Sequence, residues 1–177
     1  MELLNNIILL VNNKMNIFKF FKILISIIFF LNISTINADE NLIPLSKLIK
    51  QQNLKTEKGK LNYLSVFSIQ CGSLFKAINE VIPNNNILLA SSNLQEGALI
   101  TRIMIQKKTE QRKIKKDTER KILIMSRQYL KLLEENHKIN GDFIEGSEII
   151  TNDQKMCKKF VPRFYRFLKN NNFTIKK

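Results

Sequence analysis

The spacing of apolar residues between Leu61 and Ile82 predicts the central helix of the fold. Gly59 precedes this stretch and Pro83 follows it, and both residue types are common at helix boundaries. A face this apolar must pack against another element, and Cys71 lies in its middle. Steps of three and four, the spacing of one helix face, separate Leu61, Leu64, Phe67, Cys71, Leu74, Phe75, Ile78, Val81 and Ile82.

A longer helical stretch runs from Ile87 to Lys138, with Asn93 and Glu96 as a capping pair near its start. A continuous helix over this range would be about 75 Å long at 1.5 Å per residue, which is long for one compact domain. We favour a continuous or kinked helix whose charged middle lies in solvent, because residues 98–138 contain neither Gly nor Pro. The alternative is a break near Asp117-Thr118, where Asp117 would cap a new helix.

The C-terminal part of the chain predicts a last helix. Gly141 marks the end of the long stretch. The last helix is expected to start near Ser147 or near Asn152-Asp153 and to kink or restart at Pro162, because proline has no backbone N–H to donate. Its apolar stripe contains Cys157 and several phenylalanines.

The N-terminal part of the domain is polar and less regular. One short helix is expected after Pro44, with Ser46 as its cap. No span shows sustained strand alternation. The pattern therefore predicts an all-α bundle of three to five helices that includes one long charged helix. We divide the chain into a signal peptide (1–38), a polar segment (39–59), a helical domain (60–170) and a disordered tail (171–177).

The first 38 residues have the order of parts of a secretory signal peptide. Lys19 and Lys22 precede an apolar run at 23–33, and Ala38 supplies a small residue at the cleavage point. The apolar run is shorter than the ~20 residues that a spanning helix needs. Translation starts at Met1 or at Met15. We expect a periplasmic or secreted protein, with a retained inner-membrane anchor as the alternative.

The two cysteines, Cys71 and Cys157, lie on the apolar stripes of different predicted helices. In an exported chain this arrangement favours a disulfide that joins the two helices. The alternative is a pair of buried free thiols. One distant histidine and two thiols do not make a closed zinc site, so no metal and no cofactor are expected.

The net charge of +14 bears on function only where it is concentrated. Lysine greatly outnumbers arginine, which points to base composition as one source of the charge. The run 106–121 is a candidate surface for an anionic partner, either an envelope component or an acidic protein. Two simpler interpretations are a solvated helix face and neutralisation by the acidic segment 132–153. The candidate residues are Lys107, Lys108, Arg112, Lys113, Lys115 and Lys116.

Candidate catalytic chemistry is sparse. The only histidine, His137, lies near a predicted helix C-terminus, where its charge suits the helix dipole. The chain has no glycine-rich phosphate loop, GxSxG, HExxH or EF-hand motif. Nucleic acid is not an expected partner, because no aromatic residues are interleaved with the basic run. We therefore expect a non-enzymatic protein whose role is binding or accessory.

Cys-Gly-Ser-Leu-Phe at 71–75, the long charged helix, and Asn152-Asp153 shortly before Cys157 make up one overall pattern. Together with the signal peptide, this pattern resembles small exported all-helical bacterial proteins that have two cysteines and no assigned role. The resemblance implies a Cys71–Cys157 link and a periplasmic location. It implies no activity, ligand or catalytic residue.

Overall fold

The computed structural model describes residues 42–106 and 110–173. Within these ranges it contains no strand and five helices: α1 Leu45–Lys50, α2 Glu57–Val81, α3 Asn85–Ile105, α4 Gln111–Asn140 and α5 Glu148–Asn170. This confirms the all-α bundle, and α4, with 30 residues, is its long charged helix. The predicted signal peptide, Lys107 and Lys108 lie outside the described residues.

Helix α2 is the centre of the bundle and contacts each of the other four helices. Every residue from Phe67 to Phe75 is buried, so the helix is enclosed on more than its predicted apolar stripe. The additional buried face has small residues, which let α3 approach closely. Ser91 Oγ of α3 donates to the carbonyl of Gly72 at 2.8 Å, and a side chain at Gly72 would crowd Leu94.

The starts of α2 and α3 differ from the sequence prediction. Helix α2 begins four residues early, because the side chain of Thr56 accepts a hydrogen bond from Gly59 N and caps it. Helix α3 begins at Asn85, where Asn84 supplies the cap. The prediction that Asn93 and Glu96 cap this helix is therefore wrong, and Asn93 is buried within α3.

The favoured continuous helix from Ile87 to Lys138 is wrong, and so is the alternative break near Asp117-Thr118. Helix α3 ends at Ile105 and α4 begins at Gln111. The reversal packs Ala98 of α3 with Ile122 of α4, so both helices bury apolar surface that a straight helix would expose. Asp117 lies inside α4 and not at its start.

The boundaries near the C-terminus are mostly as predicted. Gly141 ends α4 in the left-handed conformation, with φ 75°. Ser147 caps α5, so the alternative start at Asn152-Asp153 is wrong. Helix α5 continues through Pro162 to Asn170, which excludes a restart there.

The predicted cap of α1 is also wrong. Pro44 is the N-cap residue, and no side chain next to it in sequence caps the helix. Instead, Leu45 N donates to Asp153 Oδ1 of α5 at 2.9 Å. A carboxylate 108 residues away in sequence thus takes the place of the predicted Ser46 cap.

The predicted disulfide is present. Cys71 of α2 and Cys157 of α5 are bonded, with their Cα atoms 5.5 Å apart and 86 residues between them in sequence. Both are fully buried. Phe67 lies one turn from Cys71 and packs against Phe160 and Phe164 of α5. The covalent link therefore lies inside the aromatic contact between the two helices.

Reduction of the disulfide should lower the free energy of unfolding by about 2–5 kcal/mol, because the open chain gains the entropy of a long loop. Urea unfolding of the oxidised and the reduced wild-type protein measures this difference on one sequence. Cys71→Ala/Cys157→Ala serves as a control that reductant should not affect. Equal unfolding curves for the oxidised and reduced wild type would contradict the prediction.

Candidate anion-binding groove

A groove lies where the end of α3 meets the first turns of α4. Its volume is about 720 Å³, within the range of small-molecule sites. Five of its nine lining residues are cationic and two are acidic, so its character is polar and positive. The nine residues are Arg102, Gln106, Glu110, Arg112, Lys113, Ile114, Lys116, Asp117 and Arg120.

The floor of the groove is Arg102, which is only 8% exposed. Its Nη1 donates to Thr118 Oγ1 at 2.9 Å and its Nη2 donates to Asp117 Oδ2 at 2.6 Å. The Arg102 hydrogen bond is the main reason why the pKa of Asp117 is lowered, and Lys121 adds to the effect. Asp117 therefore stays ionised and holds the guanidinium of Arg102 in place.

The exposed cations among residues 111–120 of α4 fall into two groups. Lys113 Nζ lies 3.7 Å from Glu110 Oε2, and Lys115 Nζ lies 3.9 Å from Glu119 Oε1. The second group has no acidic partner within 4.0 Å among the described residues and lines the groove. We call it the cationic ridge, and it consists of Arg112, Lys116 and Arg120.

The ridge residues are four positions apart in sequence and thus share one face of α4. Like charges at this spacing destabilise an isolated helix by about 0.2–0.5 kcal/mol per pair. Arg112 also lies in the first turn of α4, which has no acidic residue, although the helix dipole favours negative charge there. The ridge therefore destabilises α4 locally, and its three cations form no ion pair among the described residues that would offset this effect.

The structure divides the six basic residues predicted from sequence. Arg112 and Lys116 belong to the ridge, and Lys113 lines the groove but is paired. Lys115 lines a smaller pocket with Glu119 on another side of α4. Lys107 and Lys108 lie outside the described residues.

Sequence reasoning missed Arg102 and Arg120. For Arg120 the signal was its four-residue spacing from Lys116. Arg102 is a single cation at the end of an apolar stretch, and this position does not indicate that its side chain contacts α4.

The acidic segment 132–153 does not neutralise the basic run within the described residues. None of their ion pairs includes an acidic residue of this segment. Asp142 instead accepts hydrogen bonds from the backbone N–H groups of Ile144 and Glu145. Mutual neutralisation, one of the simpler interpretations of the charge pattern, therefore does not explain the ridge.

A second basic surface lies along α5. Two of its cations cover an aromatic ring: Lys159 Nζ lies 5.5 Å and Arg163 Cζ lies 5.4 Å from the centre of Phe160. Three others, Lys155, Lys158 and Arg166, are exposed. They serve below as a matched control, because they carry the same charge as the ridge but do not line the groove.

His137 is exposed and stacks on Phe143, with ring centres 4.2 Å apart. This contact joins the end of α4 to the loop that follows it. The position agrees with the interpretation of His137 as a residue near a helix C-terminus.

The other polar cluster surrounds Asp153, which is fully buried. Tyr129 Oη donates to Asp153 Oδ2 at 2.5 Å, and Gln70 Nε2 lies 2.9 Å from the same oxygen. Gln70 Nε2 also lies 2.8 Å from Tyr129 Oη and 2.9 Å from Ile43 O. With the bond from Leu45 N, these contacts attach the start of α1 to three other helices.

Burial dominates the electrostatics of this cluster. It raises the pKa of Asp153 even though the bonds from Tyr129, Leu45 and Gln70 act in the opposite direction. Burial and the nearby carboxylate raise the pKa of Tyr129 well above its usual value, so its hydroxyl stays protonated and donates. Asp153, Tyr129 and Gln70 are all buried, which makes the cluster an internal anchor and not a surface for substrates.

Among residues 42–106 and 110–173, no group of three or more His, Cys, Asp or Glu side chains could hold a metal ion. No helix in the same ranges is long and apolar enough to cross a membrane. Comparison of the chain with models of protein families, with curated proteins and with solved structures finds no match.

Asp153→Asn should change how stability depends on pH. In the folded protein the pKa of Asp153 lies above its ordinary 3.8. Its contribution to folding stability is therefore fully present below pH 3.8 and is lost as pH rises through the folded pKa. We expect the stability of the wild type relative to Asp153→Asn to fall as pH rises from the ordinary 3.8 through the raised folded pKa of Asp153. Urea unfolding across this range measures the difference.

The effect of Asp117 and Asp142 on stability is opposite to that of Asp153. Their pKa values are lowered, so their contributions to folding stability are lost as pH falls. They are present in both proteins and cancel in the comparison. A stability difference that stays constant or grows with pH would show that Asp153 is not harder to ionise in the folded state.

Proposed function

We propose that this is a non-enzymatic protein of the cell envelope that binds an anionic partner through the groove between α3 and α4. The observation that carries the proposal is the cationic ridge, because its three residues line a groove and have no acidic partner among the described residues. Unpaired charge around a concave surface raises the local concentration of oppositely charged ligands.

Two further features support binding at this place. The floor residue Arg102 is fixed by Thr118 and Asp117, so the groove has a defined shape before a ligand arrives. The ridge also costs helix stability, and a binding role gives a reason for its presence.

Retention on a heparin resin, a sulfated polysaccharide, tests the proposal. Arg112→Gln/Lys116→Gln/Arg120→Gln should elute at clearly lower salt than Lys155→Gln/Lys158→Gln/Arg166→Gln, although both variants lose three positive charges. The groove variant should also unfold at the same temperature as the wild type or a few degrees higher, because the repulsion within the ridge is removed. Thermal unfolding checks that both variants are folded.

Elution of the two variants at the same salt concentration would mean that only net charge matters, and it would reject the groove as the binding site. Earlier elution of the α5 variant would place the anion on the other basic surface.

We propose an oxidising location outside the cytoplasm, in the periplasm or the surrounding medium. Two features support it: the signal-like order of residues in the first 38 positions, and the buried disulfide, a bond that persists in oxidising compartments. The anchored alternative keeps the apolar run at 23–33.

N-terminal sequencing of the protein isolated from cells separates the two forms. We expect the mature chain to begin at Asp39, since cleavage after Ala38 removes the apolar run. A chain that still contains residues 23–33 would contradict cleavage and support the anchor.

A further inference from the structure

We infer that the groove recognises phosphate, and that its ligand carries two or more phosphate groups. This inference rests on the proposed function, because it specifies the chemistry of the anion that the groove binds. Three observations lead to it: the kind of cation that lines the groove, the pairing of its acidic residues and the spacing of the ridge.

Arginine is concentrated in the groove. The chain has 6 arginines among its 29 basic residues, and three of the six, Arg102, Arg112 and Arg120, line this one groove beside only two lysines. A composition that strongly favours lysine would by itself fill a basic surface with lysine. This enrichment favours a role for the guanidinium group beyond positive charge alone.

A guanidinium offers two parallel N–H donors in a planar fork, which matches the oxygens of a phosphate, whereas an ammonium acts as a point charge. Arg112 and Arg120 are exposed and donate no side-chain hydrogen bond to another described residue. Their forks are free to meet a ligand in the groove. Arg102 has a different role, because its guanidinium is already held by Thr118 and Asp117.

The acidic residues of the groove do not oppose an anion at the ridge. Asp117 is paired with Arg102 at 2.6 Å and with Lys121 at 3.3 Å, and Glu110 is paired with Lys113 at 3.7 Å. The buried arginine of the groove, Arg102, already binds a carboxylate, that of Asp117. The remaining forks, on Arg112 and Arg120, suit a ligand with more acceptor oxygens than a carboxylate has.

The spacing of the ridge favours several phosphates over one. Successive ridge residues are separated by about 6 Å along the axis of α4, and the whole ridge spans about 12 Å, at 1.5 Å per residue. To bind one phosphate through direct hydrogen bonds, which are about 3 Å long, the three side chains would have to converge and bring their like charges together. A ligand with linked phosphates can contact two or three of them at once.

Isothermal titration of the full mature protein with tripolyphosphate tests the inference. Arg112→Lys/Arg120→Lys keeps every charge and removes both forks, so affinity should fall about tenfold. Arg127→Lys/Arg166→Lys makes the same exchange at two exposed arginines outside the groove and should bind like the wild type. Inorganic phosphate should bind the wild type more weakly than tripolyphosphate.

Poly-glutamate, a carboxylate polyanion, separates phosphate recognition from general attraction. We expect weaker binding of poly-glutamate that is the same in the wild type and in Arg112→Lys/Arg120→Lys. Unchanged tripolyphosphate affinity in that variant, or equal losses for both polyanions, would overturn the inference. The proposed function could still hold in that case, because it fails only if the groove variant does not leave heparin at lower salt than the α5 variant.

Vesicles that contain a lipid with a phosphomonoester head group identify the source of the phosphate. Vesicle binding that tripolyphosphate displaces, and that is weaker in Arg112→Lys/Arg120→Lys, supports a membrane lipid as the ligand. Tripolyphosphate binding without vesicle binding supports a soluble compound with several phosphates. Binding to neither probe would overturn the inference.

Discussion

Helix α2 is enclosed by the other four helices, and its contacts with them hold the bundle together. Each neighbour is held by a different kind of contact. Helix α3 packs on small residues around Gly72, and α5 is held by the bond from Cys71 and by the rings that surround Phe67. Gln70 links α2 to the buried cluster around Asp153 and, through it, to α1 and α4. Cys71 and Gln70 are adjacent, so the covalent link and the polar anchor lie in one layer of the bundle.

This packing also determines the shape of the groove. Its walls are the end of α3 and the first turns of α4, and α2 holds both helices, α3 through Ser91 and α4 through Ser73, whose Oγ lies 3.2 Å from Ile122 O. Arg102 then joins the two walls through Thr118. A groove whose walls are packed helices has little backbone conformational entropy to lose when a ligand binds. The ridge destabilises α4 by much less than burial of the core stabilises the bundle.

Sequence periodicity predicted the helices, the disulfide and the helix end at Gly141, because these depend on local patterns and on residue types with few roles. It failed at the reversal between α3 and α4, where no glycine or proline stands and where the decisive contacts join Arg102 to residues 15 and 16 positions later. It failed again at α1, whose cap comes from Asp153. Half of the predicted basic residues with described side chains, Arg112 and Lys116, belong to the ridge, and the other half pair with Glu110 or Glu119. The sequence could not separate the two halves, because pairing depends on side-chain positions that spacing alone does not give.

We propose that one groove, and not the basic surface as a whole, binds anions. Backbone ¹H–¹⁵N chemical shifts of the oxidised protein, followed during titration with tripolyphosphate, distinguish the two. We expect saturable shifts at Arg102 and along the first turns of α4, with little change on α5. Shifts of similar size around Lys155, Lys158 and Arg166, or shifts that rise without saturation over all lysine-rich surfaces, would contradict it.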